Sequence, residues 1–284
     1  MHPILLQFGL FTISSYGAAM ATAFLLSVWL LARESGGRLK GLVPMSPDQV
    51  SDWATWTIVG GILGGRVLYV ILEWPYYAAN PLEILAVWKG GLVWYGGFFG
   101  GLITGGSYLR RHKISFLRSM DQVIPFGALG HAIGRIGCFL NGCCFGKPTT
   151  AWWGVQFPEY PHPVIPTQLL ESGGLFFLFL WLRSEQRADV LRAPGALFGR
   201  YLVAYGLLRW TIETWRDMQP IVWGGITVSQ AISVIIGAVG VVLLIRSRRA
   251  AAGLLGAESS GLASPGAAPS GSASPRARSP RAAQ

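Results

Sequence analysis

The residues with the clearest chemical potential lie in one glycine-rich stretch, from 131 to 146. His131 and Arg135 are four residues apart, so that in a helix both side chains lie on one face. The guanidinium of an arginine binds two phosphate oxygens at once, and no acidic residue lies within four positions of Arg135. Asn141 can donate and accept hydrogen bonds, and glycines at 134, 137, 142 and 146 leave room for a ligand or another backbone. The stretch predicts a phosphate-binding site with a histidine beside it.

The same stretch holds the three cysteines of the chain, Cys138, Cys143 and Cys144. Structural zinc sites usually combine a C-x₂-C pair with a second ligand pair elsewhere, and this sequence has neither. We therefore expect no metal centre and no cofactor, and we expect Cys138 to pack as a small apolar residue. Oxidation of Cys143 with Cys144, or of either with Cys138, stays open as an alternative.

The composition indicates which elements position these residues. Hydrophobic residues make up 51% of the 284-residue chain and charged residues 13%, whereas soluble domains carry about 25% charged residues. With a mean hydropathy of +0.43, this excludes a cytosolic enzyme, a disordered protein and a fibre, and favours a polytopic membrane protein. The 38 glycines fit closely packed transmembrane helices, in which small residues let backbones approach.

Seven apolar stretches have about the length that a membrane span requires. They lie near 14–32, 53–72, 92–109, 120–139, 169–183, 195–214 and 226–245. No Lys or Arg precedes the first, so we interpret it as a retained span rather than a signal peptide. The predicted fold is an all-α polytopic membrane protein of about seven transmembrane helices. It has a membrane domain at 1–249, a small periplasmic loop region at about 140–168, and a disordered Ala/Gly/Ser/Pro/Arg tail at 250–284.

The basic residues set the orientation. The net charge of +10 would suit nucleic acid in a soluble protein, but here the charges follow the loops and we expect no nucleic acid partner. One side carries Arg33, Arg38, Lys40, Arg110, Arg111, Lys113, Arg118, Arg183, Arg187, Arg192, Arg246, Arg248 and Arg249, and the other carries Lys89, Lys147 and Arg216. The positive-inside rule then predicts an outside N-terminus and a cytoplasmic C-terminus.

This orientation brings most of the ionisable and polar residues of the spans to one depth. Those in the outer half are Tyr16, Arg66, Tyr95, Arg135, Glu171, Arg209 and Glu213, with Arg216 just beyond, whereas Arg200 lies in an inner half. Ionisable residues within spans are costly and usually functional. Because arginines exceed acids there, we expect the phosphate to belong to a phospholipid headgroup in the outer leaflet.

Some of these arginines also permit a structural interpretation. Arg66 could pair with Glu73 or another acid, Arg209 could pair with Glu213 four residues on, and Arg216 could extend its side chain to the membrane interface.

Motifs in order along residues 10–245 make a family resemblance apparent. They are Tyr16-Gly17, Gly65-Arg66 with Tyr69, Trp88 to Leu92 leading into Tyr95-Gly96-Gly97, Asp121 and Pro125 before Gly134-Arg135, His162-Pro163, Pro166 to Leu169 with Glu171, Tyr205-Gly206 with Arg209, and Glu213 with Arg216. Together they resemble the bacterial prolipoprotein diacylglyceryl transferases. Three positions depart from that pattern. Tyr95 replaces a histidine regarded as catalytic in the family, Cys138 replaces an asparagine, and Cys143 replaces a glutamate.

The resemblance implies an inner-membrane enzyme with its active site toward the outer leaflet. Such an enzyme transfers a diacylglyceryl group from phosphatidylglycerol to the lipobox cysteine of a prolipoprotein, forming a thioether and releasing glycerol phosphate. The thiolate is the nucleophile in such chemistry. Its partners would be phosphatidylglycerol, the signal-peptide and lipobox region of the prolipoprotein, and membrane lipids.

The residues that match the motifs suggest roles in this reaction. Arg135 would hold the phosphate and Arg216 the leaving group or headgroup. The base would be Tyr95, at the histidine position, or His131, unless a positive site lowers the pKa of the substrate thiol and a weak base suffices. The headgroup site would be lined by Tyr16, Arg66, Asn141, Gly146 and Arg209. The alternatives are a divergent paralogue with another lipid donor or acceptor, and a non-catalytic lipid-binding or transport protein, which the one-sided polar residues disfavour.

Overall fold

The computed structural model describes residues 4–8, 11–158, 160–189, 193–216 and 221–261, which form a helical protein. The helices are α1 (Ser15–Gly36), α2 (Pro47–Leu72), α3 (Trp74–Ala79), α4 (Trp94–Arg111), α5 (Phe116–Leu140), α6 (Thr167–Asp189), α7 (Ala196–Thr214) and α8 (Val228–Gly261). Two antiparallel hairpins pair β1 (Ile4–Phe8) with β2 (Phe11–Ser14) and β3 (Ile221–Trp223) with β4 (Ile226–Thr227). Apart from the short α3, each helix covers one of the seven predicted apolar segments.

Four of the helices are long and apolar enough to cross a membrane: α1, α2, α5 and residues Val228–Ala252 of α8. This supports a helical membrane protein, while crossing by seven helices and the orientation stay predictions. Helix α8 extends to Gly261, so the predicted tail is helical from 250 to 261. The rest of that tail, 262–284, lies outside the described residues.

Helices α2 and α4 pack through glycine faces. A Cβ atom on Gly64 would collide with the carbonyl oxygen of Gly96, and one on Gly100 would collide with that of Gly60. Small residues that let two backbones meet are typical of membrane helices. The glycines that follow Tyr95 therefore let α4 pack closely against α2.

Helix α5 is central, since it packs against both α1 and α6. Near its start, the Asp121 carboxylate accepts hydrogen bonds from the backbone N–H groups of Gly195 at 2.6 Å and Phe198 at 2.8 Å. These bonds satisfy donors at the beginning of α7 that have no partner within that helix. The other end of α5 leads into the loop 141–166, which lies at the predicted periplasmic loop region and returns the chain to α6.

Candidate active site

A buried carboxylate joins the residues that the sequence singles out on α5. Glu171, in the first turns of α6, is 1% exposed. Its Oε1 lies 2.9 Å from Arg135 Nη2 and 3.9 Å from His131 Nε2. Both partners reach the same oxygen, which confirms that His131 and Arg135 share a helix face. The acid that pairs with Arg135 thus comes from another helix, 36 residues along the chain.

Two further arginines complete the cluster from α7 and its end. Arg209 Nη1 lies 3.6 Å from Glu171 Oε2, and Arg209 Nη2 lies 2.8 Å from Glu213 Oε2. The second distance confirms the predicted pair between Arg209 and Glu213. Arg216 Nη1 lies 3.9 Å from the same Glu213 oxygen, and the Arg216 side chain is 13% exposed. Arg216 therefore belongs to the cluster and does not extend to the interface.

The cluster carries more positive than negative charge. It joins three arginines to two carboxylates, both of which are nearly inaccessible to solvent. In the part of the chain that the structure describes, Arg135 Nε, Arg209 Nη1 and Arg216 Nε are buried without a hydrogen-bond partner. Buried donors without partners are rare and costly. Three such donors, together with one excess positive charge, suit an anion with several oxygens.

Tyr16 and Asn141 lie near the end of α5 that carries Cys138. The Tyr16 ring packs over Gly137, where a Cβ atom would meet it at 3.4 Å. The Tyr16 hydroxyl interacts electrostatically with the three cysteine thiols and with Arg135. Asn141 ends α5, with its N–H bonded to the carbonyl of Gly137, and is exposed. Their part in a headgroup site stays a prediction.

Gly146 has a packing role. It pairs with Arg216 in an isolated β-bridge, and a Cβ atom there would meet the carbonyl oxygen of Trp215 at 2.5 Å. The room that the glycine leaves is therefore filled by backbone from the end of α7. The next residue, Lys147, donates from its N–H to the same carbonyl and from Nζ to that of Thr214. These contacts hold the loop after α5 against the arginine cluster.

Arg66 holds a loop. Its side chain is buried and donates to the backbone carbonyls of residues 83, 84, 90 and 91 at 2.6–3.3 Å. Its guanidinium also lies over the rings of Tyr69 and Tyr77. Neither the predicted ion pair with Glu73 nor any bond to the arginine cluster occurs among the described residues. This geometry makes Arg66 a positioning residue for the connection between α3 and α4.

Among the described residues, Tyr95 does not bond to the cluster either. It lies in the first turn of α4, is 55% exposed, and packs edge-to-face on Trp94. Within the described ranges, no hydrogen bond or ion pair joins it to Arg135 or His131. Of the two candidate bases, only His131 contacts the charged cluster.

The three cysteine thiols lie within 4.8 Å of one another at the edge of the cluster. Hydrogen bonds with the thiols of Cys138 and Cys143 lower the pKa of the Cys144 thiol, and the charges of Arg216 and Arg135 add to that effect. Cys144 also has a φ of +65°, which is unusual for a residue other than glycine. The sequence interpretation of Cys138 as an apolar packing residue does not account for this arrangement.

Sequence reasoning identified the arginines but missed the acid that organises them. Glu171 was placed in the outer half of its span and in one family motif, without a role. The available signal was its position: it is the only acidic residue in the stretch 169–183, and a buried carboxylate requires a partner. Gln168, which bonds the Cys143 carbonyl at 2.6 Å, lies in the same family motif, but its position in the sequence does not predict this contact.

Comparison with known proteins gives one consistent result. The family model described as prolipoprotein diacylglyceryl transferase matches residues 3–246. The chain is 35% identical over 265 residues to the phosphatidylglycerol–prolipoprotein diacylglyceryl transferase of Nitratidesulfovibrio vulgaris, covering 89% of this chain and 96% of the relative. The protein of the same name from Synechococcus elongatus is 34% identical over 255 residues, with 86% of each chain covered. That of Thermosynechococcus vestitus is 31% identical over 246 residues, covering 83% and 88%.

Proposed function

We propose that this chain, which belongs to the prolipoprotein diacylglyceryl transferase family, transfers a diacylglyceryl group from phosphatidylglycerol to the cysteine thiol of a prolipoprotein. The relatives are named for this activity, and this chain covers 86–96% of their length. The reaction forms a C–S bond at the glyceryl carbon and breaks the C–O bond to phosphate. Glycerol phosphate leaves with the electron pair of that C–O bond.

The observation that carries the proposal is the buried arginine cluster with its excess positive charge. Arg135, Arg209 and Arg216 together present three buried N–H groups without partners among the described residues. A phosphodiester offers the oxygens that such donors require. As the C–O bond breaks, the phosphate gains negative charge, and fixed positive groups in a site of low polarity stabilise that charge.

The arginines of the cluster have different roles in the proposed reaction. Arg135 is held by Glu171 at 2.9 Å and keeps its Nε free for the phosphate. Arg216 touches Glu213 only at 3.9 Å, so much of its charge is available to the leaving group. Glu171 and Glu213 orient the guanidinium groups and keep the site from carrying three unopposed charges.

The acceptor thiol must lose a proton before it attacks, because the thiolate is the nucleophile. Our candidate for this task is His131. It is one turn from Arg135, has a third of its side chain exposed, and lies 3.9 Å from Glu171. Such a carboxylate can orient the imidazole of a general base. Tyr95, at the position of the family histidine, lacks a comparable contact.

The membrane arrangement is part of the same proposal. Seven helices cross the bacterial inner membrane, with the N-terminus outside and the arginine cluster at outer-leaflet depth. The 13-to-3 distribution of basic residues between the two sets of loops supports this orientation. The lipobox region of the prolipoprotein, which follows its own apolar segment, would reach the cluster from that side.

The test uses the full chain reconstituted in phosphatidylglycerol vesicles with a lipobox peptide. Mass spectrometry is expected to show the peptide with a thioether-linked diacylglyceryl group, together with released glycerol phosphate. Arg135→Ala and His131→Ala should abolish the product, and Tyr95→Phe should retain it. Arg183→Ala is the matched control. Arg183 forms a comparable ion pair with Glu34, which lies at the opposite end of α1 from Tyr16.

Two results would contradict the proposal. Turnover that survives Arg135→Ala would remove the phosphate assignment. A lipidated product that forms only in vesicles of another phospholipid would show a different donor.

A further inference from the structure

The thiols of Cys138, Cys143 and Cys144 form a group that the transfer reaction, as described so far, does not use. All three are free and half-buried, and their sulfur atoms lie within 4.8 Å of one another. Cys138 is in the last turn of α5. The backbone turns at Gly142, which has a φ of +73°, and Cys143 bonds back to the Cys138 carbonyl at 3.1 Å through its N–H. This turn brings the vicinal pair over the end of the helix.

Side chains at the start of α6 hold the same turn by hydrogen bonds. Gln168 Nε2 donates to the Cys143 carbonyl at 2.6 Å, and Thr167 Oγ1 donates to the Cys144 carbonyl at 2.9 Å. Cys144 is held in a left-handed conformation, which costs free energy for a residue with a side chain. Because the backbone is fixed on both sides, the folded chain holds the three sulfur atoms together before any ligand binds.

The net charge of the arginine cluster complements that of three thiolates with a cation. Three thiolates around a divalent cation carry one net negative charge, and the neighbouring arginine cluster carries one net positive charge. In addition, Gln168 Oε1 is buried and, in the part of the chain that the structure describes, accepts no hydrogen bond. An unused acceptor beside the thiols suits a water bound to the cation.

The geometry points to a three-thiolate site for a thiophilic divalent cation such as Zn²⁺, formed by Cys138, Cys143 and Cys144, with a fourth position for the acceptor thiol. This inference rests on the proposed function for its fourth ligand only. Catalytic zinc sites keep three protein ligands and leave one position to water or substrate. The sequence analysis expected no metal here, because the chain lacks the two ligand pairs of a usual structural zinc site.

The site would activate the acceptor in the transfer reaction. The acceptor sulfur would bind at the fourth position, and its proton would pass to His131 or to solvent. The sulfur lone pair then attacks the glyceryl carbon, and the C–O bond breaks with its electron pair on the phosphate oxygen. No atom is oxidised or reduced, so the step needs no further reactant. Arg135 and the cation would thus hold the leaving group and the nucleophile on neighbouring sides of one site.

Cobalt(II) is the direct probe, because thiolate ligation gives it an intense sulfur-to-metal charge-transfer band. The full chain, treated with chelator and titrated with Co²⁺ in detergent, is expected to bind one equivalent with this band, and Zn²⁺ should displace it. Each of Cys138→Ser, Cys143→Ser and Cys144→Ser should remove the band, whereas His131→Ala should keep it. Gln168→Ala should weaken the affinity by about 10–100-fold, as changes to residues that support metal ligands do.

A lipobox peptide tests the fourth position in the absence of lipid. Its addition to the cobalt-loaded protein should shift the spectrum, and the same peptide with serine in place of cysteine should not. The inference is overturned if Co²⁺ binds without a charge-transfer band, or if a single Cys→Ser variant keeps the wild-type spectrum and remains folded by thermal unfolding. It is also overturned if the cysteine peptide leaves the spectrum unchanged.

The titration separates this inference from the proposed function. It involves no lipid donor and no turnover, so a protein that binds cobalt through thiolates but lipidates no peptide supports the site and contradicts the function. A protein that lipidates the peptide at full rate in excess chelator, with no cobalt band, supports the function and contradicts the site.

Discussion

The buried pair between Arg135 and Glu171 allows the two possible roles of Arg135, structural partner and phosphate ligand, to be separated. The two side chains are 15% and 2% exposed and meet at 2.9 Å. Removing one partner of a buried pair leaves the other charge unpaired, which costs about 3–5 kcal/mol. We therefore predict that Arg135→Gln and Glu171→Gln each lower the free energy of unfolding by about 3 kcal/mol, at the lower limit because Arg209 also faces Glu171.

The double variant Arg135→Gln/Glu171→Gln distinguishes the roles. Neither charge is then left without its partner, so most of the stability lost in either single variant should return. The coupling energy should therefore lie at or above the upper end of the usual range of about 0.5–3 kcal/mol. Turnover should stay low, since losing one donor to a developing negative charge costs about 10²–10³ in kcat. Thermal or denaturant unfolding in detergent measures the stability, and mass spectrometry of the lipobox peptide measures the turnover.

The Arg183–Glu34 pair supplies a matched cycle. It has nearly the same geometry, at 2.8 Å with side chains 18% and 15% exposed, but lies at the opposite end of α1 from Tyr16. The corresponding Gln variants should show a similar or smaller coupling energy and keep full turnover. If the Arg135→Gln/Glu171→Gln double variant regained both stability and turnover, Arg135 would be a structural partner only, and its assignment to the phosphate would fail.

Three further predictions concern the elements that position the site. Gly100→Ala should lower the unfolding temperature, at a cost of about 1–3 kcal/mol, because its Cβ would collide with α2. Gly106→Ala is the control and should leave the unfolding temperature unchanged, because a Cβ there has nothing within 4 Å. An equal loss of stability in both variants would contradict the proposed packing. Asp121→Ala should cost about 1–2 kcal/mol by removing the cap of α7, and an unchanged denaturation midpoint would refute that role. Gly146→Ala should displace the loop from the end of α7 and reduce both stability and turnover, while Gly173→Ala, with open space around it, serves as the control.

The sequence alone determined the helices and the pairs within them. Each predicted span is a continuous apolar run, and such a run in a membrane has to satisfy its backbone groups within itself, which makes it a helix. The same regularity predicts that residues four apart meet. His131 with Arg135, and Arg209 with Glu213, follow from this spacing and do not depend on how the helices pack. The family, and with it the reaction, was also readable from motifs in order.

The tertiary structure decided which distant groups meet. Arg135 pairs with an acid on α6, and Arg66 donates to four backbone carbonyls. Tyr95 packs on Trp94 and, among the described residues, does not bond to the cluster. The spacing of the three cysteines does not match a usual zinc motif. Their sulfur atoms nevertheless lie together, because the chain turns at Gly142 and the turn is hydrogen-bonded to the start of α6. Contacts along one helix follow from its fixed period, whereas contacts between helices depend on glycine faces, loops and caps whose combined geometry no local pattern contains.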